Sequence, residues 1–394
     1  MSSENIKKIA LIGLGYVGLP LLKLLSKNYT CIGLDSSKEK INSISSKEIE
    51  IELTSSYNDI KGCDVYIVAV PTPIDRYNEP ELSSLKEVCI NLSKIIAKGA
   101  LIIFESTVAP GTTEEFCVPL LEDGSKLKLN QDFYVAYSPE RVNVGDILHT
   151  TESTPKVISA SCNYALDKLE YLYSSVITAP LIRATSIKVA EAAKMYENVQ
   201  RDTLIALANE YAEYCKKEEI DIEEVTRCAS SKWNFSHVNP GLVGGHCIGV
   251  DPYYLLSRAR SLGIEMPLVS QSRQTNENKV KLVTERILIE LSKRNISPNE
   301  AEILLLGFAY KKDTGDIRNT KIAYIITELT KHIKNVVCYD YLINKEEAKK
   351  LYNLDIITEK SALNKKFSLV IRMVDHKDFF TFSPIDVIEL SSLL

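Results

Sequence analysis

KIALIGLGYVGLPLLKLL, residues 8–25, joins a short apolar run to a helix-spaced stretch through three glycines. Residues 8–12 read as a buried strand, and the stretch from Tyr16 to Leu25 carries helical periodicity. Between them Gly13 permits a tight turn. Gly15 lets the backbone approach a pyrophosphate, and Gly18 lets the helix lie close to the strand. The N-terminus of that helix offers amide N–H groups to phosphate oxygens. A GxGxxG spacing alone also marks ordinary strand–helix turns. Here a second strand, CIGLD at 31–35, ends in Asp35, 22 residues after Gly13. An acid at that place is expected to read the adenosine ribose hydroxyls and to favour NAD over NADP. Lys40, five residues on, either helps bind the adenosine end or is a solvated helix lysine.

Outward from this unit, DVYIVAV (64–70), ALIIFEST (100–107), FYVAYSPE (133–140) and KVISAS (156–161) are further strands, with a helix over 82–97. Alternating strands and helices predict a parallel sheet with crossover helices. PTP at 71–73 and EST at 105–107 follow apolar strands, where ligands bind in doubly wound sheets. Thr72 and Thr107 are therefore cofactor contacts by position, or else caps of the next turn. From Ser186 the chain reads as one long helix without internal proline or glycine. Further helix follows, then a glycine-rich loop at 239–251, then helix again over about 268–293. Beyond Pro298 the alternation restarts with EILLLGF (302–308), a helix over 320–333, NVVCYD (335–340) and FSLVIRMV (367–374). The expectation is an α/β protein of three parts: an NAD-binding Rossmann domain over 1–185, a central helical region over 186–295, and a second, Rossmann-like domain over 296–394.

The net charge of -5 argues against a nucleic-acid binder. Nine cysteines, an odd number with no CxxC pair, argue against a zinc site or disulfide framework and fit a reducing compartment. MSSENIKK at the start lacks a signal-peptide core, and no apolar run is long enough to span a bilayer. A cytoplasmic protein without metal or membrane insertion is expected.

Lys194, Asn198 and Arg201 stand at i, i+4 and i+7, hence on one helix face. Together they suit a hydroxyl, an oxyanion and an anionic ligand, or they form a solvated stripe. In NPGLVGGHCIGVD (239–251), Gly241, Gly244, Gly245 and Gly249 surround Cys247, with Asp251 four residues later. Glycines allow close backbone approach to a ligand. A cysteine there is a candidate nucleophile, or a small buried thiol beside a tight loop. His246 invites a Cys–His pairing, but adjacent side chains usually diverge.

Taken in order, IGLGYVGLP, VPTPID, ESTVAPGTTEE, YSPERVNVGD, SIKVAEAAKMYENVQRD, SKWNF, NPGLVGGHCIGVDPYYL and GFAYKKDTGDIRNTK resemble the nucleotide-sugar 6-dehydrogenase family, which includes UDP-glucose and GDP-mannose dehydrogenases. The wording of YSPER, SKWNF and GGHCIGVDPYYL looks most like the branch acting on UDP-N-acetylhexosamines. The resemblance implies an N-terminal NAD domain, a central helical dimer core and a C-terminal domain that grips UDP. It implies a four-electron oxidation at sugar carbon 6, through an aldehyde and a Cys247 thioester, to a uronate for surface glycans. The expected substrate is UDP-N-acetylglucosamine, with UDP-N-acetylgalactosamine next.

By the same resemblance, Lys194 and Asp251 are the acid–base and water-organising pair, Asn198 supports the oxyanion, and Glu140 serves the hydrolytic half. Tyr16 and Val17 join Gly13, Gly15, Gly18, Asp35, Lys40, Thr72, Thr107 and Arg318 around NAD. Arg141, Val142, Lys194, Asn198, Arg201, Gly244, Tyr310 and Lys311 match substrate positions. Ser231 and Trp233 fall where the family reaches into a partner's site, implying a homodimer. Val144 departs from UDP-glucose dehydrogenases, which usually carry a second acid there; this favours the N-acetylhexosamine branch. The ending SPIDVIELSSLL leaves nucleotide contacts from a last strand unassigned. The alternatives are a UDP-glucose 6-dehydrogenase, a two-electron β-hydroxyacid-type dehydrogenase, which shares the Lys-x-x-x-Asn pair but needs no nucleophilic cysteine, and a non-catalytic nucleotide sensor.

Overall fold

The structure, a computed structural model, describes residues 6–45, 50–142, 150–360, 366–381 and 387–394. Val144 lies outside the described residues. The chain divides into two compact units: residues 1–197 with 253–264, and residues 198–252 with 265–394.

The first unit is built on eight strands: β1 (Lys8–Ile12), β2 (Thr30–Leu34), β3 (Glu52–Thr54), β4 (Val65–Val68), β5 (Leu101–Phe104), β6 (Tyr134–Tyr137), β7 (Lys156–Ala160) and β8 (Leu181–Arg183). Their order is β3-β2-β1-β4-β5-β6-β7-β8. Every pairing is parallel except β6 with β7, which is antiparallel with Tyr137 opposite Ser159. The parallel sheet read from the alternation is thus present, and the one antiparallel junction departs from it. The first six strands follow the doubly wound dinucleotide order.

Strand periodicity of two sends alternate residues to two cores. Ala10, Ile12, Tyr66, Val68, Ile102 and Phe104 pack with Leu85, Val88 and Leu92 of α3 (Ser83–Ser93) and with Leu121 of α4 (Val118–Ser125). Ile9, Leu11, Val65, Ile67, Leu101 and Ile103 pack with Leu21, Leu22 and Leu25 of α1 (Gly18–Leu25). Leu169 and Leu172 of α5 (Asn163–Ser174) join that second core. Both faces of β1, β4 and β5 are covered, which is why these strands are almost wholly apolar.

α6 (Ile187–Lys217) is the predicted long helix, 31 residues or about 46 Å, and it continues from the first unit into the second. In the second unit the parallel strands β9 (Glu302–Leu306), β10 (Asn335–Tyr339), β11 (Leu369–Arg372) and β12 (Val387–Glu389) run in the order β10-β9-β11-β12. One face packs on Val283, Ile287 and Leu291 of α9 (Pro267–Lys293) and on Ile322, Ile325 and Leu329 of α10 (Lys321–Leu329). α10 starts where it does because Thr320 caps it, its hydroxyl accepting the Ile322 N–H at 3.3 Å. Among the described residues no helix is long and apolar enough to cross a membrane.

Candidate active site

The turn between β1 and α1 shows why each of its glycines is needed. Gly13 has φ +96°, and a Cβ there would meet the Ala69 carbonyl oxygen at 2.6 Å. A Cβ on Gly18 would stand 1.9 Å from the Gly13 carbonyl oxygen. Gly15 differs: a Cβ there would meet nothing within 4 Å, so it faces open space, as a cradle for a ligand requires. No side chain caps the start of α1, which leaves its amides for an anion. Tyr16 beside them is 53% exposed.

Asp35, at the end of β2, is buried, and its Oδ2 accepts the Leu14 N–H at 2.9 Å and the Lys40 ammonium at 2.9 Å. Its Oδ1 accepts the Ser37 N–H at 3.0 Å. Burial works against the charge. The hydrogen bonds from Ser37, Lys40 and Leu14 outweigh it and hold the carboxyl below its ordinary 3.8. Asp35 is therefore an anion beside the glycine turn, and Lys40 is its counter-ion and not simply a solvated lysine. Thr72 donates to the Thr107 carbonyl at 2.7 Å, tying the loops after β4 and β5 together at the same sheet edge. A glycine cradle, an uncapped helix start and an adjacent carboxylate fit a dinucleotide diphosphate with its ribose.

The loop holding Cys247 is shaped by other parts of the second unit. The Gly241 N–H donates to Asn209 Oδ1 at 3.0 Å, and Asn209 Nδ2 donates back to the Gly241 carbonyl at 3.0 Å. Gly245, at φ +78°, donates its N–H to the Arg318 carbonyl at 3.1 Å and accepts from Asn319 Nδ2 at 3.2 Å. A Cβ on Gly245 would press on the Tyr310 ring at 2.9 Å, and one on Gly244 would meet the Tyr310 Cβ at 3.0 Å. The glycines thus let the loop lie on the segment from Tyr310 to Asn319. Cys247 stands exposed on it, whereas Cys31, Cys63, Cys89, Cys117, Cys215 and Cys338 are buried. Burial pushes the Cys31 thiol up to about 12 and that of Cys63 to about 11, so neither is a nucleophile at neutral pH.

The Cys247 carbonyl accepts the N–H of Val250 at 3.0 Å and of Asp251 at 2.9 Å. That turn starts α8 (Asp251–Ser261), and Asp251, 1% exposed, accepts from Asn198 Nδ2 at 2.5 Å. Burial and the neighbouring Arg318 guanidinium hold the His246 imidazole below its ordinary 6.5, so it is neutral at pH 7. Arg318 forks onto Asp316, with Nη2 at 2.6 Å from Oδ2. Cys247, Asp251, Asn198, Arg201, Gly244, Tyr310, Lys311 and Arg318 all belong to the second unit. Lys194, Glu140, Arg141 and Val142 belong to the first, with the glycine turn, Asp35, Thr72 and Thr107.

Lys194 is 6% exposed, while Arg201 and Trp233 lie open, Trp233 at 92%. Glu140 Oε1 accepts the N–H groups of Arg141 at 2.8 Å and Val142 at 2.9 Å. Arg141 grips Glu197 through Nε at 3.1 Å. The sequence reading did not single out Asn209, Asn319, Asp316, Glu105 or Lys156. Apart from Asp316, whose partner Arg318 is two residues on, their roles come from contacts with residues far along the chain. The local signals were Glu105 inside the EST segment and Asp316 and Asn319 inside GFAYKKDTGDIRNTK.

Three models of the UDP-glucose/GDP-mannose dehydrogenase family match: the NAD binding domain over residues 50–177, the central domain over 188–278 and the UDP binding domain over 304–392. The chain is 42% identical to the protein CapL of Staphylococcus aureus, over 95% of this chain and 91% of that one. It is 40% identical to a UDP-N-acetyl-D-glucosamine 6-dehydrogenase of Pseudomonas aeruginosa, over 94% and 91%. Among solved structures, a UDP-D-ManNAc dehydrogenase from Pyrococcus horikoshii superposes with a TM-score of 0.88 at 28% identity, covering 98% of this chain and 99% of that one. An NAD-type glycine turn, a cysteine on a glycine loop and this likeness along the whole chain lead to one assignment: the chain belongs to the UDP-glucose/GDP-mannose dehydrogenase family and is an NAD-dependent oxidoreductase.

Proposed function

We propose that the protein oxidises carbon 6 of a UDP-N-acetylhexosamine to the carboxylate, with UDP-N-acetylglucosamine favoured and UDP-N-acetylgalactosamine next, and that the product feeds surface polysaccharide synthesis. The observation that carries this reading is the exposed Cys247 residue on a glycine-lined loop, one turn from buried Asp251 and its half-buried partner Asn198. The 40% identity to an enzyme named for UDP-N-acetyl-D-glucosamine supports the sugar. The reading divides the chain into an NAD part (1–185), a central part (186–295) and a UDP part (296–394). It takes the active form to be a cytoplasmic homodimer, with Ser231 and Trp233 serving the partner's site.

NAD supplies the hydride acceptor for each of the two oxidations. Gly13, Gly15, Tyr16, Val17 and Gly18 hold its diphosphate, Asp35 and Lys40 its adenosine ribose, and Thr72, Thr107 and Arg318 complete its site. Arg141, Val142, Arg201, Gly244, Tyr310 and Lys311 hold the sugar nucleotide, the cations against its charge. Lys194 takes the hydroxyl proton in the first oxidation, and Asn198 stabilises the oxyanion. The Cys247 thiolate then adds to the aldehyde carbon. The resulting hemithioacetal keeps the aldehyde from escaping and prepares the second oxidation to a thioester. In hydrolysis Glu140 and Asp251 direct a water. Its O–H bond breaks, the proton passing to Glu140, as the new C–O bond forms, and the C–S bond breaks to return the thiolate.

The test is an NAD reduction assay over UDP-N-acetylglucosamine, its galacto and manno epimers, UDP-glucose and GDP-mannose, with stoichiometry. Two NADH per UDP-N-acetylglucosamine are expected. One NADH per sugar would indicate a two-electron dehydrogenase, and a preference for UDP-glucose would overturn the sugar. Cys247→Ser should keep NAD and UDP-sugar binding and form no uronate; full uronate output by that variant removes the covalent step.

A further inference from the structure

Outside the residues assigned above, the most buried charged cluster described in the first unit is Glu105, Lys156 and Tyr173. Glu105 follows β5, Glu140 follows β6, and Lys156 opens β7. Because β7 runs antiparallel to β6, its start lies at the edge where β5 and β6 end. The register Tyr137 opposite Ser159, carried along both chains, sets Glu140 against Lys156. The Lys156 ammonium, itself buried, lies 2.8 Å from Glu105 Oε2, 3.5 Å from the Pro139 carbonyl and 3.7 Å from Glu140 Oε2. The Tyr173 hydroxyl, from α5, donates to Glu105 Oε1, and the Lys156 ammonium sits over the Tyr173 ring at 5.3 Å. Ser138 donates to the Val157 carbonyl at 2.8 Å. Glu140 Oε2 is buried and has no hydrogen-bond partner among the described residues, while Oε1 is held by two amides.

Two carboxylates therefore share one ammonium, Glu105 and Lys156 buried and Glu140 at 11% side-chain exposure. Burial of an uncompensated charge is costly, so the cluster favours one extra proton. We propose that Glu105 and Lys156 are positioning residues for the hydrolytic half of the reaction: Lys156 orients Glu140, and the protonation of Glu105 decides how fully Lys156 is committed to it. This rests on the reading of Glu140 as the residue that directs the attacking water. Burial, ahead of the opposing pull of Lys156, raises Glu105 to about 7, so its proton exchanges in the working range. The two carboxylates hold Lys156 above its ordinary 10.5 despite its burial, so it stays an ammonium throughout. As the water attacks the thioester, its proton passes to Glu140, and Lys156 turns to Glu105. When the proton leaves Glu140, the ammonium is shared again.

The full-length enzyme, UDP-N-acetylglucosamine and NAD test this with four variants. Lys156→Met should release the first-turnover NADH at the wild-type rate, yet lower kcat on the order of 10²-fold, with KM falling alongside it so that kcat/KM holds. Acyl-enzyme should then accumulate in the intact-protein mass spectrum. Glu105→Gln leaves Lys156 wholly to Glu140 and should move the acid limb of the kcat profile to lower pH, whereas Lys156→Met moves it higher. Tyr173→Phe, which removes only the hydroxyl beside Glu105, should move that limb with a normal thermal midpoint. Glu105→Gln/Lys156→Met removes both buried charges and should regain stability, but not hydrolysis. Recovery of kcat in that double variant, equal slowing of the NADH burst and turnover, or acid limbs that do not move in opposite directions would leave the cluster a mere staple. If wild type itself never carries an acyl group on Cys247, the thioester reading fails instead, and that is read before any variant is made.

Discussion

At the scale of the residue, Asp35 shows how a cofactor preference is built from one carboxylate. Two backbone amides and the Lys40 ammonium keep it ionised at the end of β2. A carboxylate accepts from ribose hydroxyls and repels a 2′-phosphate, so it selects NAD. Asp35→Ala should weaken NAD about tenfold, roughly 1.4 kcal/mol, and narrow the preference over NADP because Lys40 is then released to meet a phosphate. The ratio of kcat/KM for the two cofactors checks this; an unchanged ratio would show that Asp35 does not read the ribose. The acid and its spacing were legible in the sequence. The Lys40 partnership was left open there, because a lysine five residues away in sequence either folds back or points to solvent.

Among the elements, the β1–α1 turn separates two demands that one motif merges. Gly18 is needed for packing, since a Cβ would stand 1.9 Å from the Gly13 oxygen, whereas Gly15 has room for one. Gly18→Ala should therefore cost about 3 kcal/mol of stability, as overpacking does. Gly15→Ala should leave stability within about 0.5 kcal/mol, as is usual away from packed sites, and weaken NAD by filling the cradle. Thermal melts paired with NAD titration distinguish these; equal effects from both variants would refute the division. The glycine spacing named both positions in advance. Which one packs and which one waits for a ligand depends on the Gly13 carbonyl and the open space, which no spacing records. β3, β8 and β12, of three residues each, were not read at all, because so short a run shows no period.

The behaviour of the whole molecule with pH should carry the mark of its buried carboxylates. Glu191 on α6 is fully buried and accepts the N–H groups of Gly111 at 2.5 Å and Thr113 at 2.9 Å. Burial dominates these bonds and raises its pKa from 4.5 to about 7. A folded pKa above the unfolded one means the native state binds the proton more tightly. The stability Glu191 contributes is then complete below about pH 4.5 and is lost as pH rises through 7, up to about 3 kcal/mol in all. The thermal midpoint should fall between pH 5 and 8, and Glu191→Gln should flatten that slope. A slope that survives the substitution would place its origin elsewhere, with Glu105 the next candidate.

What the sequence determined alone is everything contiguous: the strand–glycine–helix start, the long proline-free α6, the restart of alternation after Pro298 and the cysteine among its glycines. Each is written within one element or turn, where a residue's neighbours in space are its neighbours in sequence. Only the tertiary structure decided that Asn198 donates to Asp251, that Asn209 pins Gly241, that β7 runs against β6 and that Lys156 lies between two glutamates. Those pairs join residues 16 to 53 positions apart or are set by which strands lie side by side. Apolar periodicity says which face of a strand is buried. It says nothing about which strand lies next to it, because that is settled by the closing of loops and the shared burial of two sheet faces.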